Sequence, residues 1–505
     1  MMIRIVKYII VLLLSIGYTS AQNSAVSELK LAPVFLDHMV LQRNKPIKIF
    51  GKAANGVQVQ VSFQDKTLAA KSDESGKWQV IFPVSQAGGP YAVTVSANNQ
   101  KIKLTDVMIG DVWLCSGQSN MDFPLRASKT GPDELKAGAC DARIRVLHRA
   151  GIVSTYNVAW DSVTLTKINR NEYFTGQWEA LSVQSAASFS AVGYYFGKKI
   201  AADQNVPVGL IQVAVGGSPT ESWVDAKRLE QEPDLTEIVK DYTHSKYVME
   251  WCRERIGQNL VNATDSKQLH PFQPGYNFQA GILPLTELPI AGVIWYQGES
   301  NAHNVDGHAR IFETLVSDWR RKWGYPFPFY YVQLSSIERP NWPEFRDSQR
   351  KLLNKMPNSG MAVSLDLGDS LDVHPTQKKE VGERLALLAL RDTYKKNVVA
   401  EGPVAEKAIF KHGEIRIRFS NGKGVFPKQK SLLTKNNARL TGFELLTENG
   451  KRMSVNARIS GNEVVIGVLA GARISTVLYA YQPFTRANLY NEAGLPASTF
   501  SIAVK

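Results

Sequence analysis

Cysteine is scarce in this sequence of 505 residues. Cys115, Cys140 and Cys252 are the three cysteines, and no two of them have the spacing of a metal site. In an oxidising compartment Cys140 and Cys252 could form a disulfide, although an odd count leaves at least one free thiol. The sequence therefore excludes a small fold stabilised by several disulfides and offers no cysteine pattern for a metal.

Apolar runs of membrane length are missing as well. Residues 1–7 contain Arg4 and Lys7 and no acid, residues 8–17 are nearly all apolar, and small residues follow at 19–21. This pattern predicts a signal peptide over residues 1–21, because its apolar part is too short for a stable membrane span. An uncleaved membrane anchor is the alternative. We expect an exported protein, periplasmic or extracellular, with no membrane span in the mature chain.

Long basic runs and repeats of basic and aromatic residues are also absent, although the formal net charge is +13. A positive balance can favour acidic ligands or nucleic acid. Without a basic stripe, a solvated basic surface is the favoured interpretation, and we expect no nucleic-acid partner.

The pattern of apolar residues changes twice along the chain. Residues 22–105 contain short alternating runs such as VQVQVSF at 57–63, separated by turns that contain glycine. Residues 106–395 alternate short apolar runs with helical patterns, and residues 396–505 return to strand-like runs. We therefore predict a central α/β domain between two β-sandwich-like domains, in keeping with about three domains for this length.

Near-continuous apolar runs in the central region are typical of parallel strands buried on both faces. They lie at residues 208–215, 290–296, 327–334 and 361–367. They predict a three-layer α/β/α fold of the flavodoxin-like kind, in which sites lie beyond the carboxyl ends of the strands. The unusual residues follow such runs, among them Ser119, Gly216 and Gly217, the QGESN stretch at 297–301, and residues 366–374.

Two serines follow a short apolar run in DVWLCSGQSNM, residues 111–121. A serine nucleophile needs a base to remove its proton and donors for the developing oxyanion. Gly117 allows a sharp turn after the strand, which favours Ser119 over Ser116 as the nucleophile. The G-x-S-x-G pattern of α/β-hydrolases is absent, so a turn or capping role for Ser119 is the alternative.

Among the eight histidines, His374 has the context expected of a base. It follows an acid-rich loop in which Asp366, Asp369 and Asp372 are candidate partners for its imidazole. Pro375 is expected to begin a helix, which would place His374 at the N-terminus of that helix. His303 and His308 are expected at the mouth of a substrate site, and with Asp306 they form only a weak metal pattern, so we predict no metal.

The sequence resembles the bacterial sialate O-acetylesterases, a branch of the SGNH (GDSL) hydrolases. The matching blocks are GQSNM at 117–121, GGSPTESW at 216–223, WYQGESN at 295–301, DVHP at 372–375, LAPVFLDHMVLQ at 31–42 and NLYNEAGLPAS at 488–498. The resemblance implies an SGNH-hydrolase catalytic domain and a serine esterase that works without a cofactor. Its substrate would be an O-acetylated sialic acid or sialoglycan, cleaved through an acetyl-enzyme.

The resemblance also implies residue roles. Ser119 would be the nucleophile and His374 the base. The oxyanion hole would consist of the N–H of Ser119, the N–H of Gly216 (or Gly217) and the side-chain amide of Gln297, with Asn301 a less favoured amide. The acid that many SGNH enzymes carry three residues before the histidine is replaced here by Leu371. Either Asp372 completes a triad, or Ser119 and His374 work as a dyad.

Three questions stay open at the level of sequence. The first is specificity, because an acetyl esterase acting on xylan or another O-acetylated glycan would have similar blocks. The second is whether the chain is a noncatalytic carbohydrate-binding protein, which the flanking β domains would suit. The third is which cation would bind an acidic sugar, since Arg126, Arg320, Arg321 and Arg346 are equivalent candidates.

Overall fold

The computed structural model describes residues 28–420, 432–435 and 438–505. The predicted signal peptide at 1–21 lies outside these residues. The strands are β1 Lys30–Leu31, β2 Val40–Gln42, β3 Ile47–Lys52, β4 Gln58–Phe63, β5 Lys66–Lys71, β6 Lys77–Phe82, β7 Gly88–Ala97, β8 Gln100–Gly117, β9 Asp141–His148, β10 Ala150–Gly151, β11 Phe174–Thr175, β12 Trp178–Leu181, β13 Val208–Ala214, β14 Gly292–Tyr296, β15 Phe329–Gln333, β16 Ser359–Val363, β17 Val404–Lys411, β18 Glu414–Ser420, β19 Leu432–Thr434, β20 Phe443–Thr447, β21 Arg452–Ser454, β22 Ala457–Ser460, β23 Glu463–Gly467, β24 Ile474–Tyr479, β25 Leu489–Asn491 and β26 Phe500–Ala503.

Helices are concentrated in the central region. They are α1 Ser119–Asp122, α2 Gly131–Lys136, α3 Ser162–Asn169, α4 Val183–Ser188, α5 Ala191–Gln204, α6 Ala226–Glu230, α7 Thr236–Lys240, α8 Glu250–Asn259, α9 Val305–Trp323, α10 Trp342–Leu352 and α11 Lys379–Asp392. Within the described ranges, none of these helices is long and apolar enough to cross a membrane.

A mostly parallel sheet forms the centre of the molecule. Its strands lie in the order β12-β9-β13-β8-β14-β15-β16, and all neighbours pair in parallel except β12, which is antiparallel at the edge. Helices cover both faces, as the continuous apolar runs predict. On β8, Trp113 and Cys115 pack in the core that contains α5 and α11, whereas Val112 and Leu114 face the core that contains α9. The predicted three-layer α/β/α fold is confirmed.

The sequential order of the strands diverges on either side of β8. The next strands in the chain, β9 and β13, lie on one side of β8, and β14, β15 and β16 lie on the other. In an open α/β sheet such a switch point opens a crevice at the carboxyl ends of the strands. Here the crevice lies where β8, β13 and β14 end, just before Ser119, Gly216 and Gln297.

The N-terminal β region is continuous with this sheet. Strand β8 pairs with β7 over its first half, and over its second half it pairs with β13 and β14. The boundary predicted at residue 105 therefore falls inside one strand that both regions share. Strands β1, β3 and β6 form a separate three-stranded sheet beside it.

The C-terminal region consists of two four-stranded antiparallel sheets, β17-β18-β23-β22 and β21-β20-β24-β26, with β19 paired to β25. Aromatic side chains fill the space around β20, β24 and β26, where Phe443, Tyr479 and Phe500 pack with ring centroids 4.8–6.3 Å apart. This agrees with the β-sandwich-like domain expected from the alternating runs after residue 396.

The expected helix at Pro375 begins later than the sequence suggested. Helix α11 starts at Lys379, so His374 lies in a loop and not at a helix N-terminus. Two hydrogen bonds hold this loop from outside, one from Asn120 Nδ2 to Val373 O and one from Lys129 N to Thr376 O. These long-range contacts outweigh the local preference of proline for a first helical turn.

Candidate active site

A cavity of about 1240 Å³ opens at the carboxyl ends of β8, β13 and β14. It is lined by residues from all four predicted site regions, including Ser119, Gly216, Glu299 and His374. Aromatic and cationic side chains from other segments complete its wall, among them Tyr156, Trp251, Trp342, Arg126, Arg255 and Arg339. A cavity of this volume is large enough to hold more than one sugar ring.

The turn after β8 places Ser119 at the edge of this cavity. Gly117 has a φ of +139°, and a Cβ there would lie 2.1 Å from the carbonyl oxygen of Tyr296 on the neighbouring strand. Only glycine allows this close approach. Ser119 then begins the short helix α1, so its N–H belongs to a first turn whose amides have no partner within the helix. Ser116, by contrast, is buried within β8.

His374 reaches Ser119 from a loop that follows the edge strand β16. Its Nε2 atom lies 2.8 Å from Ser119 Oγ, a hydrogen-bond distance, although the two residues are 255 positions apart. The loop that carries His374 follows β16, which is three strands away from β8. The structure therefore brings together the hydroxyl and the imidazole that the sequence paired, and their geometry suits proton transfer between them.

None of the three candidate aspartates forms a hydrogen bond with the imidazole. Asp372 Oδ1 lies 3.7 Å from His374 Nδ1, with a side chain 63% exposed, and it accepts instead from the backbone N–H of His374. Asp366 is held by two bonds from Arg384, and Asp369 accepts from backbone amides in its own loop. Asp372 is thus the only one of the three near the imidazole, and it acts there at ion-pair range.

Gly216 is the glycine of its pair that faces Ser119. A Cβ built on Gly216 would lie 3.7 Å from Ser119 Cβ. Gly217 adopts a φ of +78° and packs against the ring of Trp251, where a Cβ would lie 2.7 Å from that ring. Of the two alternatives left by the sequence, Gly216 is the glycine next to Ser119, and its role as an oxyanion donor stays a prediction.

The amide of Gln297 is held in a buried network behind these glycines. Its Oε1 accepts from Thr220 Oγ1, and its Nε2 donates to Asn301 Oδ1 at 2.7 Å. The second Nε2 hydrogen has only a long contact of 3.4 Å, with Ser218 O. Asn301 Nδ2 donates to Glu221, and its Oδ1 also accepts from Thr220 N. Gln297 does not line the cavity directly, but one of its N–H groups is left without a strong partner.

Asn120, the residue after Ser119, joins several buried groups. Its Nδ2 donates to Glu299 and to Val373 O, and its Oδ1 accepts from Lys378 Nζ. Val373 directly precedes His374, so this one amide ties the turn of the nucleophile to the loop of the histidine. Lys378 also lies over the ring of Phe123 at 4.7 Å.

Burial and charge shift the ionisation of these groups. Burial lowers the pKa of Lys378 to about 7, with the nearby Glu299 opposing this effect. Burial raises the pKa of Glu299. The pKa of His374 is lowered, first by burial and then by the positive charge of Lys378, while Asp372 acts in the opposite direction. The imidazole is therefore held in the neutral form that a general base requires.

The histidines proposed for the mouth of the site separate in the structure. His303 lines the cavity and donates from Nε2 to Tyr247 O at 3.1 Å. His308 is buried between Phe312 and Phe345, away from the cavity, so its predicted place at the mouth is wrong. No group of three or more His, Cys, Asp or Glu that could hold a metal occurs in the described part of the chain.

Three of the four candidate arginines are used elsewhere in the structure. Arg320 donates to backbone carbonyls near β15, Arg321 pairs with Asp318, and Arg346 is buried against the C-terminal region. Arg126 does line the cavity. Two further cavity arginines, Arg255 and Arg339, were missed by the sequence analysis.

Sequence signals for the missed residues differ in strength. Asn120 and Glu299 lie inside recognised blocks, next to Ser119 and Gln297, so their proximity to the site could have been inferred. Lys378 lies four residues after His374. Arg255 and Trp251 lie in α8, whose sequence EWCRERIGQN carries no pattern that points to a site.

Comparisons with known proteins show which family the chain resembles. Residues 109–246 and 279–391 match a family model described as carbohydrate esterase, sialic acid-specific acetylesterase. The sialate O-acetylesterase of Mus musculus is 29% identical over 423 residues, which cover 76% of this chain and 77% of that protein. The Homo sapiens sialate O-acetylesterase is 29% identical over 431 residues, or 77% of this chain and 75% of that protein.

A solved structure gives a similar result over a longer range. The crystal structure of a carbohydrate acetylesterase from Xanthomonas citri superposes with a TM-score of 0.77 and 31% sequence identity. The match covers 94% of this chain and 99% of that chain, so the flanking β regions are included as well as the central sheet.

Proposed function

The chain belongs to the carbohydrate esterase family of sialic acid-specific acetylesterases, and from this premise we propose that it removes O-acetyl groups from sialic acids. It is a carboxylic ester hydrolase of the type that acts on acetylated carbohydrates. The observation that carries the proposal is the 2.8 Å hydrogen bond between Ser119 Oγ and His374 Nε2 at the wall of a sugar-sized cavity.

In the proposed reaction, His374 Nε2 takes the proton of Ser119 as Oγ attacks the acetyl carbonyl. Negative charge then develops on the carbonyl oxygen. The backbone N–H groups of Ser119 and Gly216 and the weakly bonded N–H of Gln297 are the donors proposed for it. The imidazolium that forms passes its proton to the departing sugar oxygen, which leaves an acetyl group on Ser119.

Water completes the proposed cycle. It loses a proton to His374 and attacks the acetyl-enzyme through a second tetrahedral intermediate. When this intermediate collapses to acetate, His374 returns the proton to Ser119 Oγ. No step in this sequence calls for a metal or an organic cofactor. The acetyl group is small, so the open part of the cavity is left for the sugar.

Removing either reacting side chain tests the site. We expect Ser119→Ala and His374→Ala each to lower kcat for 4-nitrophenyl acetate by several orders of magnitude, because the two side chains act as one unit. Circular dichroism of each variant checks that the fold is retained. If both variants hydrolyse the ester as fast as the parent protein, the proposed site is wrong.

Specificity is tested by acetate release from two natural classes of substrate. We expect a higher kcat/KM for O-acetylated N-acetylneuraminic acid than for acetylated xylan. Activity on xylan alone would reject the sialate proposal but leave the serine mechanism in place. Binding of either glycan that survives Ser119→Ala, without turnover by the parent protein, would instead indicate a binding protein.

A further inference from the structure

Arg255 is held between two aromatic rings at the wall of the cavity. Its guanidinium carbon lies 4.7 Å from the centroid of Tyr156 and 4.8 Å from that of Trp251. All three residues line the cavity that contains Ser119. Contact with two ring faces fixes the plane of a guanidinium while its N–H edges stay available for hydrogen bonds.

The segments that carry both rings contact the pair of glycines beside the nucleophile. Trp251 packs directly against Gly217. Tyr156 follows Thr155, whose hydroxyl donates to the carbonyl oxygen of Gly216 at 3.3 Å. Segments far apart in the chain, residues 155–156 and helix α8, are therefore positioned by the same turn that faces Ser119. This arrangement places the guanidinium of Arg255 at a fixed position relative to the reacting serine.

No carboxylate of the described residues forms an ion pair with Arg255. Burial lowers the pKa of its guanidinium, and the nearby groups that oppose this are a thiol, Cys252, and a phenol, Tyr156. Two other arginines of this region are used differently. Arg253, on the same helix, donates to the carbonyl oxygens of Ser245 and Val248, and Arg126 is exposed with one long bond of 3.4 Å. Arg255 is thus a partly desolvated cation whose planar edge has no anionic partner among the described residues.

We propose that Arg255 binds the carboxylate of an acidic sugar and so selects sialic acids over neutral acetylated glycans. The inference rests on the proposed esterase function and adds a specificity-determining residue to it. A guanidinium matches a carboxylate with two parallel hydrogen bonds, and its positive charge is strengthened by partial removal from water. A neutral sugar has no group that pairs with it in this way, so the discrimination is electrostatic and directional.

A cycle of enzyme and substrate charges tests this assignment. The substrates are the methyl glycoside of O-acetylated N-acetylneuraminic acid and its carboxyl methyl ester, which differ in one charge. Acetate release gives kcat/KM for each. The selectivity ratio is kcat/KM for the free acid divided by kcat/KM for the methyl ester. We expect Arg255→Gln to reduce this ratio by about 10- to 100-fold, mainly because KM for the free acid rises. Arg255→Lys keeps the positive charge but loses the two parallel N–H groups of the guanidinium. It should reduce the ratio less than Arg255→Gln does.

Arg126→Gln is the matched control, since it removes the same charge from the same cavity. We expect it to change the ratio by less than about threefold, as for a screened surface charge. An unchanged ratio in Arg255→Gln would overturn the assignment. Equal decreases of the ratio in Arg255→Gln and Arg126→Gln would overturn it too, because they would indicate a general effect of positive charge in the cavity. If the parent protein releases acetate from 4-nitrophenyl acetate but from neither sialoside, the sialate function itself fails, and with it this role of Arg255.

Discussion

At the scale of single residues, the charge state of His374 is set by groups that take no part in bond making. Its imidazole is partly buried, and Lys378 lies nearby in the network of Asn120. Both effects disfavour the imidazolium, so the pKa of His374 is below its ordinary value of 6.5. A base with a lowered pKa stays neutral to lower pH, and activity should therefore persist below pH 6.5.

Replacing Lys378 tests this electrostatic effect. Lys378→Met removes a positive charge that opposes protonation of His374, so the pKa of His374 should rise. We expect the acid limb of the kcat/KM profile to move to higher pH, with a greater loss at pH 5.5 than at pH 8. Lys379→Met removes a charge one position later, at the partly exposed first residue of α11, and should leave the limb in place. A profile of unchanged shape in Lys378→Met would contradict the assignment.

Asp372 poses the second question at this scale. Its carboxylate is exposed and lies 3.7 Å from His374 Nδ1, beyond hydrogen-bond reach. Charge alone then gives modest help to the imidazolium, and solvent weakens it. We expect Asp372→Asn to lower kcat by less than about tenfold, against roughly 10⁴ for an orienting triad acid. Asp369→Asn, in the same loop, is the control, and a loss near 10³ in Asp372→Asn would establish a triad.

At the scale of elements, the site is built from segments that follow four different strands. Ser119, Gly216 and Gln297 come directly after β8, β13 and β14, which are adjacent in the sheet. His374 comes eleven residues after Val363, the last residue of β16, and its loop crosses the ends of the strands between. The bond from Asn120 to Val373 O fixes the end of that loop against the turn of the nucleophile.

The segment after β14 contains Gln297, whose side-chain amide is a proposed oxyanion donor. If the weakly bonded N–H of Gln297 reaches the oxyanion, Gln297→Ala should lower kcat by about 10²- to 10³-fold with a small change in KM, because the new bond forms only in the transition state. Steady-state kinetics with 4-nitrophenyl acetate measures both constants. A loss below tenfold would leave the backbone N–H groups as the only donors.

Thr220 offers a control for positioning within the same network. Its hydroxyl donates to Gln297 Oε1 and so fixes the orientation of the amide. Thr220→Ser keeps this hydroxyl and should retain most of kcat, whereas Thr220→Val removes it and should cause an intermediate loss. Equal activity of the two variants would mean that the orientation of Gln297 does not affect the reaction.

At the scale of the whole molecule, one buried arginine joins the catalytic region to the C-terminal sheets. Arg346 on α10 is fully buried, and it donates to the carbonyl oxygens of Ala480, Gln482 and Pro483 and to Thr499 Oγ1. Burial lowers its pKa to about 9, so the guanidinium is charged at neutral pH. These bonds stabilise the contact between the two regions.

Loss of this side chain should destabilise the protein strongly. Arg346→Ala leaves several buried carbonyl groups without partners, and we expect a loss of about 3 kcal/mol in the free energy of unfolding. Calorimetry should show a lower Tm. Glu344→Ala, at an exposed position on the same helix, should stay within about 0.5 kcal/mol of the parent protein. A Tm for Arg346→Ala as high as that of the control would contradict this role.

The sequence by itself determined the fold class of the central region and where along the chain Ser119, Gly216 and His374 would lie relative to it. Continuous apolar runs can be satisfied only by strands covered on both faces, and turn residues mark where such strands end. These are local properties, which a linear pattern records. The blocks shared with the sialate O-acetylesterases indicated the esterase family.

Only the tertiary structure decided which groups surround the site. It turned Asp366 to Arg384, left Asp372 at ion-pair range, buried His308 away from the cavity, and brought Arg255 to its wall. It also made β8 one strand across the boundary predicted at residue 105. Each outcome depends on packing between segments distant in the chain, where burial and the available partners, and not the residue type, set what a charged side chain does.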